Sequence, residues 1–375
     1  MATHNTISER QQARMERARN AGLEYIQEFT VGFIRKKSGK GFKYISTDGQ
    51  PVTDKLIKNR IKELVIPPAW KEVWICSNPD GHIQATGFDD AGRKQYIYHA
   101  NWHAASAAYK YGRLQVFAGL LPKIRNHVRR DMKETALTKR RVIAAVVRLL
   151  DKASIRIGNK RYVHENESHG ATTLMMEHVE CSMDRISLNF KGKSGKQVEL
   201  ECRDSGLAAV IADCENNDCD FLFSYHNEQN EPVAVTSADV NAYLMEISNE
   251  SITAKDFRTW RGSVIALTHL SSMQEELSKT ARKKTIVEAV RAASIALNNT
   301  MAVCRQSYIH SAILAHAERG SLPGLIRAVE GKITRAIGLT RDEVRLSILL
   351  PHLDDENSLL TFKRKRARAQ RKLTA

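Results

Sequence analysis

The pattern of the sequence changes near residues 101–105, and this change constrains the fold more than any single motif. From about Gly22 to Ala100 the chain consists of short strand-like runs, such as Gly41–Ile45 and Gln95–Tyr98, separated by glycine, aspartate and proline. Beyond that point glycine and proline are scarce, and apolar residues recur at helical spacing. We therefore predict an α+β protein with a small β-rich N-terminal domain at 21–102 and a larger, mainly α-helical domain at 103–350. A polar leader at 1–20 and a basic tail at 351–375 complete the predicted organisation.

The sequence predicts several helices in the second domain. The segment Arg141–Ile155 is apolar almost all round, which is typical of a helix buried in a core. A second helix is predicted from Thr300 to Arg319, because Gly320 follows it and glycine readily takes the left-handed conformation in which many helices end. The second domain is therefore expected to be helical over most of its length.

One segment of the helical half is strand-like instead. Apolar residues alternate with other residues on two arms, and a basic, glycine-containing turn at 191–196 lies between the arms. This pattern predicts a β-hairpin with lysines at its turn. The alternating residues are Ile186, Leu188 and Phe190 on the first arm and Val198, Leu200 and Cys202 on the second.

The positive charge is segregated along the chain. Lysine and arginine number 58 against 42 aspartate and glutamate, a formal net charge of +16. Seven basic side chains lie within the last 13 residues, and two further basic stretches cover 31–62 and 93–141, whereas 213–256 carries ten acidic residues and one lysine. A surface that only keeps a protein in solution mixes the two signs. Long basic stretches indicate a nucleic-acid partner bound through its phosphates, with the acidic stretch turned away from it.

Several other classes of function find no support in the sequence. No stretch approaches the ~20 apolar residues of a membrane-spanning helix, and the polar N-terminus lacks the pattern of a secretory signal. The six cysteines include no Cys-x-x-Cys pair, so we expect free thiols and a cytoplasmic location. The lysines at 40 and 196 lack the spacing of a phosphate-binding loop, and no histidine–cysteine group has metal-ligand spacing. We expect no membrane, nucleotide, metal or cofactor partner.

Seven short sequence motifs, here called strings, occur along the chain in an order that indicates a protein family. They resemble the type IB DNA topoisomerases, most closely the bacterial and poxvirus-like branch, and the likeness covers nearly the whole chain. Each string alone is modest evidence, whereas their common order is strong evidence. The strings are Ile66–Trp70, Gln84–Gly87, Gly92–His99, Ile155–Tyr162, Phe190–Lys193, Lys255–Trp260 and Cys304–His310.

The resemblance implies a catalytic role for five residues. Tyr308 would be the nucleophile, and Arg156 and Arg258 would be the two guanidiniums at the scissile phosphate. Lys193 would be the hairpin lysine that helps to expel the 5′ oxygen. Asn299 stands where the poxvirus and eukaryotic enzymes carry histidine, and it would donate a hydrogen bond to a phosphate oxygen.

The resemblance also implies a DNA-facing strand in the N-terminal domain and a backbone contact in the catalytic domain. The strand corresponds to the Lys-Gln-Tyr segment of the family and would enter the major groove with basic neighbours beside it. The DNA-binding residues implied in this way are Arg93, Lys94, Gln95, Tyr96, Tyr98 and Tyr162.

These residue types suit phosphodiester transfer without a metal ion. Guanidiniums and an asparagine amide can stabilise the charge that gathers on the phosphate oxygens in the transition state. A phenol with a pKa near 10 is almost entirely neutral at pH 7, so a cationic pocket must favour the phenolate. The implied product, a 3′-phosphotyrosine, keeps the energy of the broken ester, so the strand can be resealed without ATP.

The resemblance thus implies an enzyme that relaxes positive and negative supercoils, acting as a monomeric clamp on double-stranded DNA in the nucleoid. Two alternatives stay open at this point. A tyrosine site-specific recombinase shares the catalytic logic, although that class usually carries His-x-x-Arg where this chain has Lys255-Asp256-Phe257-Arg258. A non-catalytic architectural protein would use the same basic surface.

Overall fold

Residues 9–27 and 31–353 are described by the computed structural model, and contacts divide the chain into two units, Met1–Gly112 and Arg113–Ala375. The architecture is α+β, as predicted, with a five-stranded sheet in the first unit and a mainly helical second unit. The first eight residues of the predicted leader and most of the predicted basic tail, from residue 354 on, lie outside the described residues. The rest of the leader forms a helix, α1 (Glu9–Asn20).

The first unit is built on an antiparallel sheet with the strand order β2-β1-β3-β4-β5. The helix α2 covers this sheet, since its Ile61 is 1% exposed and shares a small core with Val73, Ile75 and Ala85. The elements of this part of the chain are β1 (Gly32–Ser38), β2 (Gly41–Ser46), α2 (Lys55–Glu63), β3 (Lys71–Cys76), β4 (Ile83–Phe88), β5 (Lys94–Tyr98) and α3 (Ala100–Asp131).

The loop at 66–70 is shaped by a buried arginine. The guanidinium of Arg35 donates to the carbonyls of Pro67 at 3.0 Å and Trp70 at 2.7 Å, and it stacks on Phe42 at 4.2 Å from the ring centre. Burial lowers the pKa of this arginine. The Ile66–Trp70 string therefore has a structural explanation, because its backbone carbonyls solvate a buried cation.

The second unit packs helices around one large core and carries two small antiparallel sheets, β6-β7-β8 and β9-β10. Its elements are α4 (Lys139–Ala153), α5 (Lys160–Asn166), β6 (Val179–Ser182), β7 (Arg185–Lys191), β8 (Gln197–Arg203), α6 (Ser205–Cys214), β9 (Ser224–His226), β10 (Pro232–Ala234), α7 (Ser237–Ser248), α8 (Ala254–Leu270), α9 (Lys279–Ala296), α10 (Met301–Ser307), α11 (Ser311–Arg319), α12 (Leu322–Glu330) and α13 (Arg341–Leu353).

The predicted buried helix and the predicted hairpin are both confirmed. Helix α4 is buried along almost its whole length, with Thr138 capping its start and Ser154 in the left-handed conformation ending it. In the hairpin, Leu188 pairs with Leu200 and Phe190 with Val198, as the alternation requires. The hairpin gains a third strand, β6, which the sequence analysis did not predict.

Ion pairs connect the acidic stretch 213–256 to the start of α4. Lys139 pairs with Asp239 at 2.6 Å, and Arg141 pairs with Asp213 at 2.6 Å. These basic residues belong to the stretch 93–141, which was predicted to line DNA. At this end of the stretch, local carboxylates offset part of the positive charge.

Helices α3, α4, α8 and α13 share an ion network centred on Arg125 of α3. Its guanidinium forms paired hydrogen bonds at 2.8–2.9 Å with the carboxylates of both Asp151 and Glu343. Glu343 also accepts the indole N–H of Trp260 at 3.0 Å. The carboxylates raise the pKa of Arg125 against its burial, so the guanidinium stays charged, and the network joins α4 to α8.

Candidate active site

The backbone breaks its helical course at Tyr308. Helix α10 ends at Ser307, Tyr308 has φ −131° and ψ −10°, and helix α11 restarts at Ser311. The predicted single helix from Thr300 to Arg319 is therefore wrong, although Gly320 does end α11 in the left-handed conformation. The break has a long-range cause, because the backbone N–H of His310 donates to Ser263 Oγ at 3.0 Å instead of continuing the helix.

A glycine on α8 lets this break lie against the helix. A Cβ atom placed on Gly262 would come within 2.6 Å of the carbonyl oxygen of Tyr308 and 3.0 Å of Leu297. Only a residue without a side chain allows such an approach of two backbones. The position of Tyr308 is thus set by Gly262 and its neighbour Ser263.

Arg258 lies on α8, one turn before Gly262, and its side chain is beside the Tyr308 ring. It is 4% exposed, and its guanidinium carbon lies 4.9 Å from the centre of the Tyr308 ring. Its Nη1 donates to the backbone carbonyl of Ser154, and its Nη2 donates to the backbone carbonyl of Leu297 at 2.6 Å. Its Nε is buried without an acceptor. The guanidinium is therefore fixed in place with its Nε–H still available.

Arg156 and Asn299 are paired although they are far apart in the sequence. Arg156 Nη2 donates to Asn299 Oδ1 at 2.6 Å, which turns the amide so that Nδ2 points elsewhere. That Nδ2 is buried without an acceptor. The backbone of Arg156 is held in turn by Ala171, whose N–H donates to its carbonyl at 2.8 Å.

The electrostatics of the site favour an anion. Burial lowers the pKa of Arg258 and of Arg156, and the neighbouring Tyr308 opposes this effect in both cases. Guanidiniums remain protonated even so. Neither arginine forms an ion pair with a carboxylate within residues 9–27 and 31–353. The site therefore combines the buried Arg258, the half-buried Arg156 and two buried donors without an acceptor, and an anionic group can satisfy them.

Lys193 lies on the turn of the β7–β8 hairpin and lines the same cleft as Arg156 and Arg258. The turn takes two left-handed residues, Ser194 and Gly195, with φ of 63° and 69°. The structure thus brings together all five residues for which a catalytic role was predicted.

The predicted DNA-binding residues of the first unit fall on two faces of β5. Lys94, Tyr96 and Tyr98 share one face by strand alternation, and the Tyr96 and Tyr98 rings are stacked at 5.9 Å. Gln95 lies on the other face, where its amide donates to Asp89 at 2.8 Å. β5 is an edge strand of the sheet, so among the described residues no strand pairs with its outer side.

Two further predicted DNA-binding residues, Arg93 and Tyr162, are exposed, and Arg93 forms an ion pair. Arg93 pairs with Asp89 at 2.9 Å, so this arginine shares its carboxylate with the Gln95 amide. Tyr162, on α5 of the second unit, is 58% exposed. A large aromatic side chain at such exposure is available for contact with a ligand.

Among the described residues, no helix is long and apolar enough to cross a membrane. Within the same part of the chain, no three or more histidine, cysteine, aspartate or glutamate side chains are grouped in a way that could hold a metal ion.

Comparison with known families adds to this geometry. The model of the eukaryotic DNA topoisomerase I catalytic core matches residues 99–320, and the model of the bacterial DNA topoisomerase IB N-terminal domain matches residues 41–89. The chain belongs to the type IB DNA topoisomerases. All five residues of the candidate site lie within the matched core.

Individual relatives agree with the family. The DNA topoisomerase 1B of Acanthamoeba polyphaga mimivirus is 34% identical over 286 residues, which cover 74% of this chain and 85% of the viral protein. The DNA topoisomerase 1B of Vaccinia virus (strain Copenhagen) is 24% identical over 235 residues, covering 61% of this chain and 70% of that protein. The mitochondrial DNA topoisomerase I of Rattus norvegicus is 25% identical over 202 residues, covering 52% and 33% respectively.

The residues that hold the groups of the candidate site in place were not predicted from the sequence. Gly262 and Ser263 position Tyr308, and the carbonyls of Ser154 and Leu297 hold Arg258. A backbone carbonyl carries no signal in a sequence. A glycine in a helical segment was the one available hint, since glycine there costs stability unless close packing requires it.

Proposed function

We propose that this topoisomerase relaxes both positive and negative supercoils by cutting one strand through Tyr308 and resealing it. The observation that carries the proposal is the pair of buried, unused donors, Arg258 Nε and Asn299 Nδ2, in a cationic site beside the Tyr308 ring. A scissile phosphate satisfies these donors and supplies the missing negative charge.

In the cleavage step, the Tyr308 oxygen attacks phosphorus and the bond from phosphorus to the 5′ oxygen breaks. The phenolic proton leaves to solvent, and the ammonium of Lys193 gives a proton to the departing 5′ oxygen. Arg156, Arg258 and Asn299 donate to the non-bridging oxygens, where charge develops in the transition state. The products are a 3′-phosphotyrosine and a free 5′ hydroxyl, so atoms and charge balance without a further reactant.

Resealing is the reverse reaction. The 5′ hydroxyl attacks the phosphotyrosine, Lys193 takes back its proton, and Tyr308 leaves as the phenol. Both steps are transesterifications, which conserve the number of phosphate ester bonds, so neither ATP nor a metal ion enters the scheme. Between the two steps the cut strand can rotate and release torsional strain of either sign.

DNA binding is proposed to involve both domains, 21–102 and 103–350. Lys94, Tyr96 and Tyr98 offer one cationic and aromatic face of β5, and Tyr162 is exposed on the catalytic domain. Gln95 would have to release Asp89 to reach a base edge. We propose a monomer that closes as a clamp around the duplex in the cytoplasm, with the basic tail adding salt-sensitive affinity.

Relaxation of supercoiled plasmid tests this function. Negatively and positively supercoiled plasmid is incubated with the protein in EDTA and without ATP, over a range of salt concentrations. We expect relaxation of both substrates and none with Tyr308→Phe, which should still bind DNA. Tyr225→Phe is the matched control and should relax both. A wild-type protein that relaxes neither plasmid at any salt concentration would refute the proposal.

A further inference from the structure

Hydrogen bonds connect the first arm of the Lys193 turn to the segment 168–171, which also bonds to Arg156. Ser168 Oγ donates to the carbonyl of Gly192, the residue before Lys193, at 3.1 Å, and Ser168 is only 8% exposed. Three residues further on, the N–H of Ala171 donates to the carbonyl of Arg156 at 2.8 Å. One short segment thus connects the lysine turn to the arginine.

The second arm of the turn is tied to the same arginine from the other direction. Asn298 Nδ2 donates to the carbonyl of Gln197, the first residue of β8, at 3.2 Å. The next residue, Asn299, accepts from Arg156 at 2.6 Å. Asn298 has φ of +46°, a left-handed conformation that asparagine tolerates and glycine adopts freely.

Nothing on the lysine side chain itself fixes its place. The ammonium of Lys193 forms no hydrogen bond or ion pair with any described part of the chain, and the residue is exposed. The position of the ammonium relative to the phosphate site therefore depends on the backbone of the turn. That backbone is held by the Ser168 and Asn298 hydrogen bonds.

We propose that Ser168 and Asn298 are positioning residues that hold the hairpin turn so that Lys193 can protonate the leaving 5′ oxygen. The inference rests on the proposed role of Lys193 as the general acid. A general acid must lie within hydrogen-bond reach of the atom that it protonates, so a turn that drifts loses this contribution alone. The contacts of Arg156, Arg258 and Asn299 with the phosphate do not pass through the turn.

Two DNA substrates distinguish a role of Ser168 and Asn298 in positioning Lys193 from a general effect of these residues on the site. Cleavage positions are first mapped on plasmid DNA, and one of them is placed in a short duplex with either oxygen or sulfur as the bridging 5′ atom. A thiolate is a far better leaving group than an alkoxide because its pKa is much lower, so the sulfur substrate needs no general acid. Single-turnover cleavage is measured with the protein in excess.

The variants are chosen so that the backbone keeps its conformation. Asn298→Gly retains the left-handed conformation and removes only the amide, and Asn249→Gly makes the same change at another left-handed residue, the end of α7. Ser168→Ala removes the hydroxyl, and Ser248→Ala does so at a buried serine that bonds to Leu244. Lys193→Ala defines the full loss of the general acid.

We expect Asn298→Gly and Ser168→Ala to cleave the oxygen duplex about 3- to 10-fold more slowly than wild type, the value of one hydrogen bond. On the sulfur duplex both should match wild type within about twofold, as should the controls on both duplexes. Lys193→Ala should lose about 100-fold or more on oxygen and regain it on sulfur.

If the sulfur duplex rescues Lys193→Ala, the general-acid role of Lys193 stands, and two results would then overturn only the positioning role of Ser168 and Asn298. One is an equal loss on both duplexes for Asn298→Gly and Ser168→Ala, and the other is no loss on oxygen. If sulfur does not rescue Lys193→Ala, this lysine is not the general acid, and the inference fails together with that part of the proposed function.

Discussion

Replacing Gly262 with alanine should displace Tyr308 while leaving every catalytic side chain in the protein. The new Cβ would meet the Tyr308 carbonyl oxygen at 2.6 Å, whereas ordinary contacts of this kind begin at 3.4 Å. Helix α8 and the Tyr308 segment must therefore separate by about 0.8 Å, the difference between these two distances. A displacement near 1 Å at a reacting group can reduce the rate about 100-fold, so we expect a loss of about 10- to 100-fold.

Stability should change much less than the rate. Overpacking a core costs about 1–3 kcal/mol, and the better helix propensity of alanine returns up to about 1 kcal/mol of this. We therefore expect Gly262→Ala to remain folded, with a free energy of unfolding lowered by about 0–2 kcal/mol. Urea unfolding measures this change, and single-turnover cleavage at saturating protein measures the rate.

Gly119→Ala is the matched control, because a Cβ on this exposed glycine of α3 meets nothing within 4 Å. It should gain about 0.5–1 kcal/mol of stability and cleave at the wild-type rate. A folded Gly262→Ala protein that cleaves as fast as wild type would show that close packing of α8 does not position Tyr308.

Three further predictions concern the amide donor, a buried histidine and the tail. Asn299→Ala should slow single-turnover cleavage about 10-fold without weakening DNA binding, because one phosphate donor is lost; a wild-type rate would remove Asn299 from the site. Burial lowers the pKa of His82 to about 4, so the unfolded chain binds its proton first as the pH falls, and stability should drop between about pH 6.5 and 4. Urea midpoints of His82→Asn should fall less over this range, and an unchanged slope would contradict the assignment. Deleting 363–375 should lower DNA affinity and flatten its salt dependence, measured by titration, while saturated cleavage stays at the wild-type rate.

Features that depend on near neighbours in the sequence could be predicted. The hairpin follows from its alternation, and pairs such as Leu188 with Leu200 have the expected register. Helix α4 follows from its apolar run, and the end of α11 follows from Gly320. In each case the residues that determine the structure lie close together in the sequence, either within one helix or in two strands joined by a single turn.

Features that depend on distant contacts could not be predicted. The break at Tyr308 requires Ser263, which lies 45 residues earlier, and the pairing of Arg156 with Asn299 spans 143 residues. The resemblance to a family indicated which residues would meet, but not which atoms hold them. The separation of Gln95 from Tyr96 on opposite faces of β5 is different, since alternation along a strand already requires it.

The covalent intermediate tests the central claim most directly. The protein is incubated in EDTA with a duplex that releases the 5′ fragment after cleavage, so that resealing is blocked, and the trapped adduct is digested and sequenced by mass spectrometry. The account predicts a nucleotide joined through its 3′ phosphate to Tyr308, and no adduct with Tyr308→Phe. An adduct on another residue, or a linkage to the 5′ end of the DNA, would contradict it.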